Sequence, residues 1–555
     1  MSSPRYRYSA LPEGCIRLLR LLPSEHKDAP IRCQLSVCSI LASTRTSHPY
    51  EALSYVWGPP TPKRTIYLNG YEHPVGANLH VALLRLRDPF VDRVIWADAI
   101  CIDQENAEER AAQVQSMVTI YFKAMRVLIW LGEEQDNSTG KQALRVIYRA
   151  ADGTSSSDMP KGPTHRDHDS VWNLINCQWF KRVWVLQEAA AAQNVLVMYG
   201  DAETDGHTFC AGLWSLKDMY IHQPDLLAII RSSIYLIRRM FLKAQCLAAP
   251  QSNFSLGIQT LGELVDMFHS RQATDPRDKV YAMLGMSSDR EHLSRFEPDY
   301  TVAWKDLLKR LTHHLVSDKA DVETWDGEEL SVIRCAGHIV GEVSAVLGVR
   351  AKDGKQQIDV LLRKHNPRID VKDRQFAQWT VQPFAKPIRP RDLICVLEGS
   401  SSLAIVRAPR QKSDYLDVIA LSVTPADTLG TANTLGSATW RETTATGRRE
   451  RLLLVWDWDA INPDFHTLCD GFSSFMRQRL KVRLADDLRA HLDRLVQTAD
   501  VQYALEDWEN WRATGETQNV LMGYACPFRK KNIYKFSRRN FKRCTEPMRN
   551  FSSVK

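Results

Sequence analysis

The sequence predicts an α/β protein. A domain built on a mostly parallel sheet with an added β-hairpin comes first, followed by a helical region and a small β-rich accessory domain. Three observations carry this. Val94–Gly132 reads as a strand, a polar turn, an amphipathic helix and a second strand, and both strands are near-continuous apolar runs. Such a unit implies parallel pairing with a right-handed crossover. Residues 15–41 alternate as a strand pair, and Asn69-Gly70 is a strong hairpin signal between two further strands. From about residue 330 to 424 the pattern changes to short strands separated by turns.

Taken in order, the strand pair 15–41 precedes a third strand, Ala52–Trp57, and then the hairpin around Asn69-Gly70. Asn78 is positioned to cap a helix reaching Arg87, with Leu79, Leu83 and Leu86 inward. In the central unit Val94–Ile102 is read as one strand, with Asp98 interrupting it. Val114, Met117, Val118, Tyr121 and Met125 form the apolar stripe of the following helix. Residues 151–170 are small, polar and turn-rich, which suits a mobile insertion or linker. A helix around Trp172, another carrying Trp184 to Glu188, and a strand Val195–Tyr199 complete a first domain spanning 1–204. A helical extension covers 205–325, with Leu213, Trp214, Met219 and the Leu227–Phe241 run as its core. The β-rich domain covers 326–424, with strands near 338–349, 358–362, 393–397, 403–406 and 416–423. A linker at 425–451, a mixed helical stretch at 452–519 that opens on one strand, and a basic tail at 520–555 follow.

Composition sets limits. Hydrophobic content of 44% and charged content of 25% are ordinary for a globular protein. No apolar run nears the roughly 18 residues needed to span a bilayer, and the first residues lack the apolar core of a signal peptide. Twelve scattered cysteines, several within apolar strands, suit reduced buried thiols in a cytosolic or nuclear protein, and a cytoplasmic location is expected. The formal charge of +7 is a property of the tail, because eight basic residues lie between Arg529 and Arg543 with no acid among them. GxSxG, Walker, HExxH and strand–helix GxGxxG patterns are absent. His165 and His168 beside Asp167 and Asp169 fall in the expected linker, so no metal site is assigned.

Four ordered blocks carry a family resemblance: Tyr50–Gly58 (YEALSYVWG), the central unit, Trp179–Glu188 (WFKRVWVLQE), and Asp275–Gly285 (DPRDKVYAMLG) with Pro298-Asp-Tyr300. They resemble the fungal heterokaryon-incompatibility (HET) domain, a domain similar in layout to Toll/interleukin-receptor (TIR) domains. The resemblance implies a TIR-like fold with Tyr50–Tyr55 on the first strand. It also implies non-self recognition that ends in programmed cell death when incompatible hyphae fuse. Two mechanisms follow from it. In one, the domain is a signalling adaptor that works by homotypic or heterotypic assembly with an incompatibility partner. In the other, assembly switches on an NAD hydrolase, with NAD as substrate rather than resident cofactor.

Some TIR domains cleave NAD with a glutamate on the helix after a central strand, and by order of elements Glu109 falls near that position. A single carboxylate suffices chemically, because the nicotinamide leaving group is already cationic and only the oxocarbenium-like transition state needs support. Asn106 with Glu109 three residues on is equally a capping-box pattern. The carboxyl ends of the strands, where ligands of parallel sheets sit, carry Ser54, Trp57, Asp103 and Gln104 as the expected nucleotide-binding residues. Asp98 is expected in a structural ion pair with Arg110 or Arg182, and Cys101 as a buried thiol. Trp57, Trp96, Trp130 and Trp184 are expected in the core. Gln187 and Glu188 fit a pocket wall or a solvated helix end equally. Asp275, Arg277 and Asp278 are expected to form a charged turn that docks the helical segment.

The tail is similar to the opening of a fungal zinc-finger-like segment, but only Cys526 and Cys544 of its ligands are present before Lys555, and two ligands do not make a tetrahedral zinc site. Basic residues interleaved with Tyr534 and Phe536 also suit nonspecific nucleic-acid binding, a third functional reading.

Overall fold

The computed structural model describes residues 6–26, 28–40, 49–133, 139–152, 165–216, 254–349, 355–363, 374–409, 415–427 and 449–458. The chain divides into two compact units, Met1–Lys481 and Val482–Lys555, and every described residue lies in the first. The Leu227–Phe241 run, Met219, most of the linker at 425–451, the helices expected after 458 and the basic tail with Cys526 and Cys544 lie outside the described residues.

The first sheet has nine strands: β1 Cys15–Leu21, β2 Arg32–Ser39, β3 Glu51–Tyr55, β4 Lys63–Leu68, β5 Tyr71–Gly76, β6 Arg93–Trp96, β7 Arg126–Trp130, β8 Val195–Tyr199 and β9 Ala202–Asp205. Their order is β5-β4-β2-β1-β6-β3-β7-β8-β9. The hairpin β4–β5 turns at Asn69 and Gly70, both at positive φ, the backbone that this dipeptide tolerates. Strands β3, β6, β7 and β8 are mutually parallel, with β3 between β6 and β7. Numbered along the chain, this parallel core runs 2-1-3-4, and the strand order reverses at β3. Ligands of doubly wound sheets bind outside the carboxyl ends of the strands at such a reversal.

Several expectations change. The two strands of the central unit are parallel but do not pair with each other, because β3 lies between them. The run Val94–Ile102 is not one strand: β6 stops at Trp96 and Asp98–Cys101 forms a short helix, α2. The Asp98 side chain accepts the Ala99 N–H at the start of that turn, a local side-chain-to-backbone bond that competes with sheet pairing. Helix α1, Ala77–Leu86, buries Leu79, Leu83 and Leu86, but its N-cap is Gly76. Asn78 instead donates to Val56 O at 2.5 Å and accepts from Trp130 Nε1 at 2.9 Å, tying β3 to β7. The expected linker 151–170 is helical at both ends, in α4 Thr139–Asp152 and α5 His165–Ile175, so His165 and His168 lie on a helix.

Helix α3, Ala107–Lys123, is capped by Asn106, whose side chain accepts from the N–H groups of Glu108 and Glu109. Tyr121 of this helix donates to Leu53 O and Tyr50 donates to Ile120 O, which fixes α3 against β3. Helix α6, Trp184–Ala191, packs against both β3 and α3, and Val185–Ala191 are all buried. A helix apolar all round belongs in a core, so any acid on it requires an internal partner. Helix α7, Gly206–Ser215, opens the extension, which continues in helices Leu261–Phe268, Asp278–Leu284 and Trp304–Leu315. The expected charged turn docks as foreseen: Arg277 binds Asp275 and the carbonyls of Tyr300 and Val302, while Arg277 and Arg110 both lie against the Tyr300 ring.

The second sheet is built around the 20-residue strand Leu330–Val349, which pairs with neighbours on both edges. It includes Arg374–Val381, which the sequence pattern missed, and Glu450–Asp457, which the sequence assigned to a following region. Val340, Ile358, Trp379, Ile394, Ile405 and Ile419 lie in its core. Asp266 joins the extension to this sheet, accepting from the backbone N–H groups of Leu421 and Ser422. No described helix is long and apolar enough to cross a membrane.

Candidate functional site

Two clusters of polar side chains flank the carboxyl ends of the parallel strands. The first contains Glu109. Arg17 on β1 is 1% exposed and donates to both carboxylate oxygens of Glu109, at 2.5 and 2.9 Å. The Asp103 N–H adds a third bond at 2.8 Å. Burial pushes the carboxyl upward, but Arg17 and the Asp103 N–H outweigh it and hold Glu109 below the usual glutamate range. The capping box is half made: Asn106 caps the helix, while the Glu109 side chain turns to Arg17 instead of back to Asn106. With both oxygens engaged, Glu109 has the geometry of a structural carboxylate.

The second cluster was only partly foreseen. Ser54, the next-to-last residue of β3, is fully buried, donates to Glu188 Oε2 and accepts from Trp179 Nε1 at 2.8 Å. Glu188, on α6, is 2% exposed. Burial raises its pKa to about 7, and the nearby Asp98 charge pushes the same way, against Arg182 and the Ser54 hydroxyl. Arg182 donates to Tyr55 O at the strand end. Asp98, on the first turn of α2, accepts from Trp57 Nε1 at 2.8 Å and from the Ala99 N–H at 2.7 Å. Burial raises its pKa as well, with Arg182 acting in opposition. Arg182 is the positive charge that opposes this rise, whereas Arg110 stacks on Tyr300.

Four expected nucleotide-binding residues distribute unevenly. Ser54 and Trp57 belong to this acid cluster, and Gln104 adjoins it by donating to Asp98 O at 2.9 Å. Asp103 faces the Glu109 side, giving its N–H to Glu109 and its carboxylate to the Glu105 N–H. Trp57 is 43% exposed, not core, since its indole N–H reaches out to Asp98; Trp96 and Trp130 are buried. Trp184 is half-buried. Cys101 is fully buried, and burial raises its thiol pKa to about 12, so it is inert.

The sequence left Glu188 as a pocket wall or a solvated helix end, and the structure buries it. A signal was present: it is the one acid in the otherwise uncharged run Val183–Ala192, and a carboxylate within a helix buried all round needs a polar partner.

Residues 50–188 match the family described as heterokaryon incompatibility protein (HET). The chain is 25% identical over 347 residues to "Heterokaryon incompatibility protein 6, OR allele" of Neurospora crassa, covering 53% of this chain and 50% of that protein. It is 29% identical over 153 residues to "Vegetative incompatibility protein HET-E-1" of Podospora anserina, covering 26% of this chain and 9% of that protein. The chain thus spans half the length of the first relative or less. No solved structure matches it. The side chains of the acid cluster all lie within the matched segment, coming from its first, central and third sequence blocks, and residues 50–188 of the chain are a fungal HET domain.

Proposed function

We propose that this chain acts in heterokaryon incompatibility, as a cytoplasmic protein whose HET domain promotes cell death after fusion of incompatible hyphae. Both named relatives are incompatibility proteins, and the family segment coincides with the sheet that carries the acid cluster. A TIR-like layout is supported by β3, the first of the four parallel strands along the chain, occupying the segment that the resemblance assigns to the first strand.

For the mechanism we infer hydrolysis of NAD at the acid cluster, with Glu188 rather than Glu109 as the catalytic carboxylate. The observation that carries this is the position of Glu188: buried, bonded to Ser54, and beside the strand reversal. Cleavage of the nicotinamide–ribose bond releases neutral nicotinamide, since the bonding electrons return to the cationic ring. Water adds to the ribose carbon and loses a proton. Ionised Glu188 stabilises the developing oxocarbenium charge, and Arg182 favours that ionised form. Asp98 is the second carboxylate, and the exposed Trp57 ring offers a stacking face.

The test is nicotinamide release by the purified full chain, dilute and crowded, beside Glu188→Gln and Glu109→Gln. A loss in Glu188→Gln much larger than any loss in Glu109→Gln supports the assignment, and equal turnover in wild type and Glu188→Gln overturns it. The adaptor reading, signalling by homotypic assembly, is favoured by the burial of both Glu109 and Glu188 in internal hydrogen bonds. Assembly with no turnover in any state would select it.

A further inference from the structure

The carbonyl of Asp98 and the chain that follows it, up to Asn106, are held by a chain of contacts that begins at the N-terminus. Tyr8 donates its hydroxyl to Ile100 O at 2.8 Å, within α2. The Tyr8 ring lies 4.9 Å from the Arg17 guanidinium carbon, and Tyr6 and His73 pack edge-on against it. Arg17 donates to Ser9 O at 2.6 Å and to Cys101 O at 3.2 Å, in addition to its two bonds to Glu109. Glu109 then accepts the Asp103 N–H, and Gln104 donates to Asp98 O. Thus Ile100 O, Cys101 O, Asp103 N and Asp98 O are each fixed by Tyr8, Arg17, Glu109 or Gln104. The turn adds its own bonds, among them Ile102 N to Asp98 O and Ile100 N and Cys101 N to Ala97 O.

We propose that Tyr6–Ser9 is a positioning strap for the acid cluster, acting through Arg17 and Glu109 on the turn that carries Asp98. This rests on the reading of the acid cluster as the catalytic centre. It makes Arg17 and Glu109 positioning residues that touch no substrate. A bidentate guanidinium–carboxylate pair fixes orientation as well as distance, because both groups are planar and neither can rotate without breaking a bond. The strap adds an aromatic face beneath the guanidinium and two main-chain anchors, one from Tyr8 to Ile100 and one from Arg17 to Ser9.

The experiment uses the full chain with Tyr8→Phe, Tyr8→Ala and Arg17→Lys, and two readouts. The first is the kcat, KM and pH profile of NAD hydrolysis. The second is amide hydrogen exchange across residues 98–106, compared with β7 and β8. Tyr8→Ala and Arg17→Lys are expected to lower kcat by roughly 10- to 100-fold with KM nearly unchanged. An acidic shift in the pH profile should accompany the loss, because the Asp98 charge holds the Glu188 pKa up and a displaced Asp98 does so less. Amides of 98–106 should exchange faster while β7 and β8 keep wild-type protection. Tyr8→Phe, which keeps the ring and loses the hydroxyl, should fall between. Unchanged exchange in 98–106, or acceleration spread over the whole domain, overturns the strap. So does unchanged turnover alongside altered exchange, and so does increased turnover, which would make the strap an inhibitory cover. If the wild type hydrolyses no NAD, the catalytic reading fails, while the exchange data still decide whether the strap holds the turn.

Discussion

Ser54 and Glu188, 134 residues apart in the chain, meet in a buried hydrogen bond between β3 and α6. The hydroxyl donates, so the bond suits the ionised carboxylate, yet the surroundings favour the neutral acid. That opposition brings Glu188 to about 7 and makes its charge state responsive near physiological pH.

The first prediction is a pH-dependent stability difference between wild type and Glu188→Gln. A carboxyl with a folded pKa of about 7 and an unfolded value of 4.5 binds its proton more tightly in the folded state. Its neutral form therefore folds without penalty at low pH, and stability is lost as pH rises from 4.5 towards about 7. Glu188→Gln should match wild type in acid and exceed it by roughly 3 kcal/mol above neutrality. Urea unfolding at pH 4 to 8.5 checks this.

Breaking the buried Arg17–Glu109 pair should be costly. Arg17→Met leaves Glu109 without its guanidinium and is expected to destabilise the first domain by roughly 3–5 kcal/mol, while the double variant Arg17→Met/Glu109→Leu should recover most of that loss. The pH dependence has the opposite sign from Glu188. Glu109 is held low, so its contribution is present above its unfolded pKa and disappears as pH falls through the folded value. Thermal unfolding of the wild type and these two variants, with pH scans, measures both effects.

A third prediction concerns the junction between the helical extension and the second sheet. Asp266 is fully buried and accepts from Leu421 and Ser422, so Asp266→Ala strands two N–H donors, at a cost of roughly 2–4 kcal/mol. Nearby, an added Cβ at Gly262 would lie 2.0 Å from Ser422 Oγ and 2.7 Å from Leu315 Cδ2. Gly262→Ala should therefore loosen the same junction. Limited proteolysis should cut both variants faster between residues 269 and 330 than in β7 or β8.

Trp57 gives a fourth. Trp57→Phe removes the indole N–H from Asp98 but little buried area, since the residue is 43% exposed. Stability should change by less than about 1 kcal/mol. Nicotinamide release, if it depends on Asp98 and a stacking ring, should fall by about tenfold, with the loss in kcat rather than KM.

The sequence was legible where local periodicity decides structure. Strand Val195–Tyr199 falls where the apolar run puts it, and the Asn69-Gly70 hairpin and the helix beginning at Asn106 follow from turn and capping chemistry. The four family blocks were legible separately, as a resemblance carried by their residues. The local signals failed at Val94–Ile102, because an apolar run has the same composition in a strand as in a buried helical turn, and the Asp98 carboxylate accepts the Ala99 N–H at the start of that turn. Glu109 and Glu188 show the deeper limit. Each is an acid on a helix near an apolar strand, and position along the chain cannot tell them apart. Only the tertiary structure puts Arg17 against one and Ser54, Asp98 and Arg182 around the other. Whether a carboxylate is neutralised or left poised depends on which charges and dipoles lie within a few ångströms, and of those neighbours Arg17 and Ser54 come from chain segments 92 and 134 residues away.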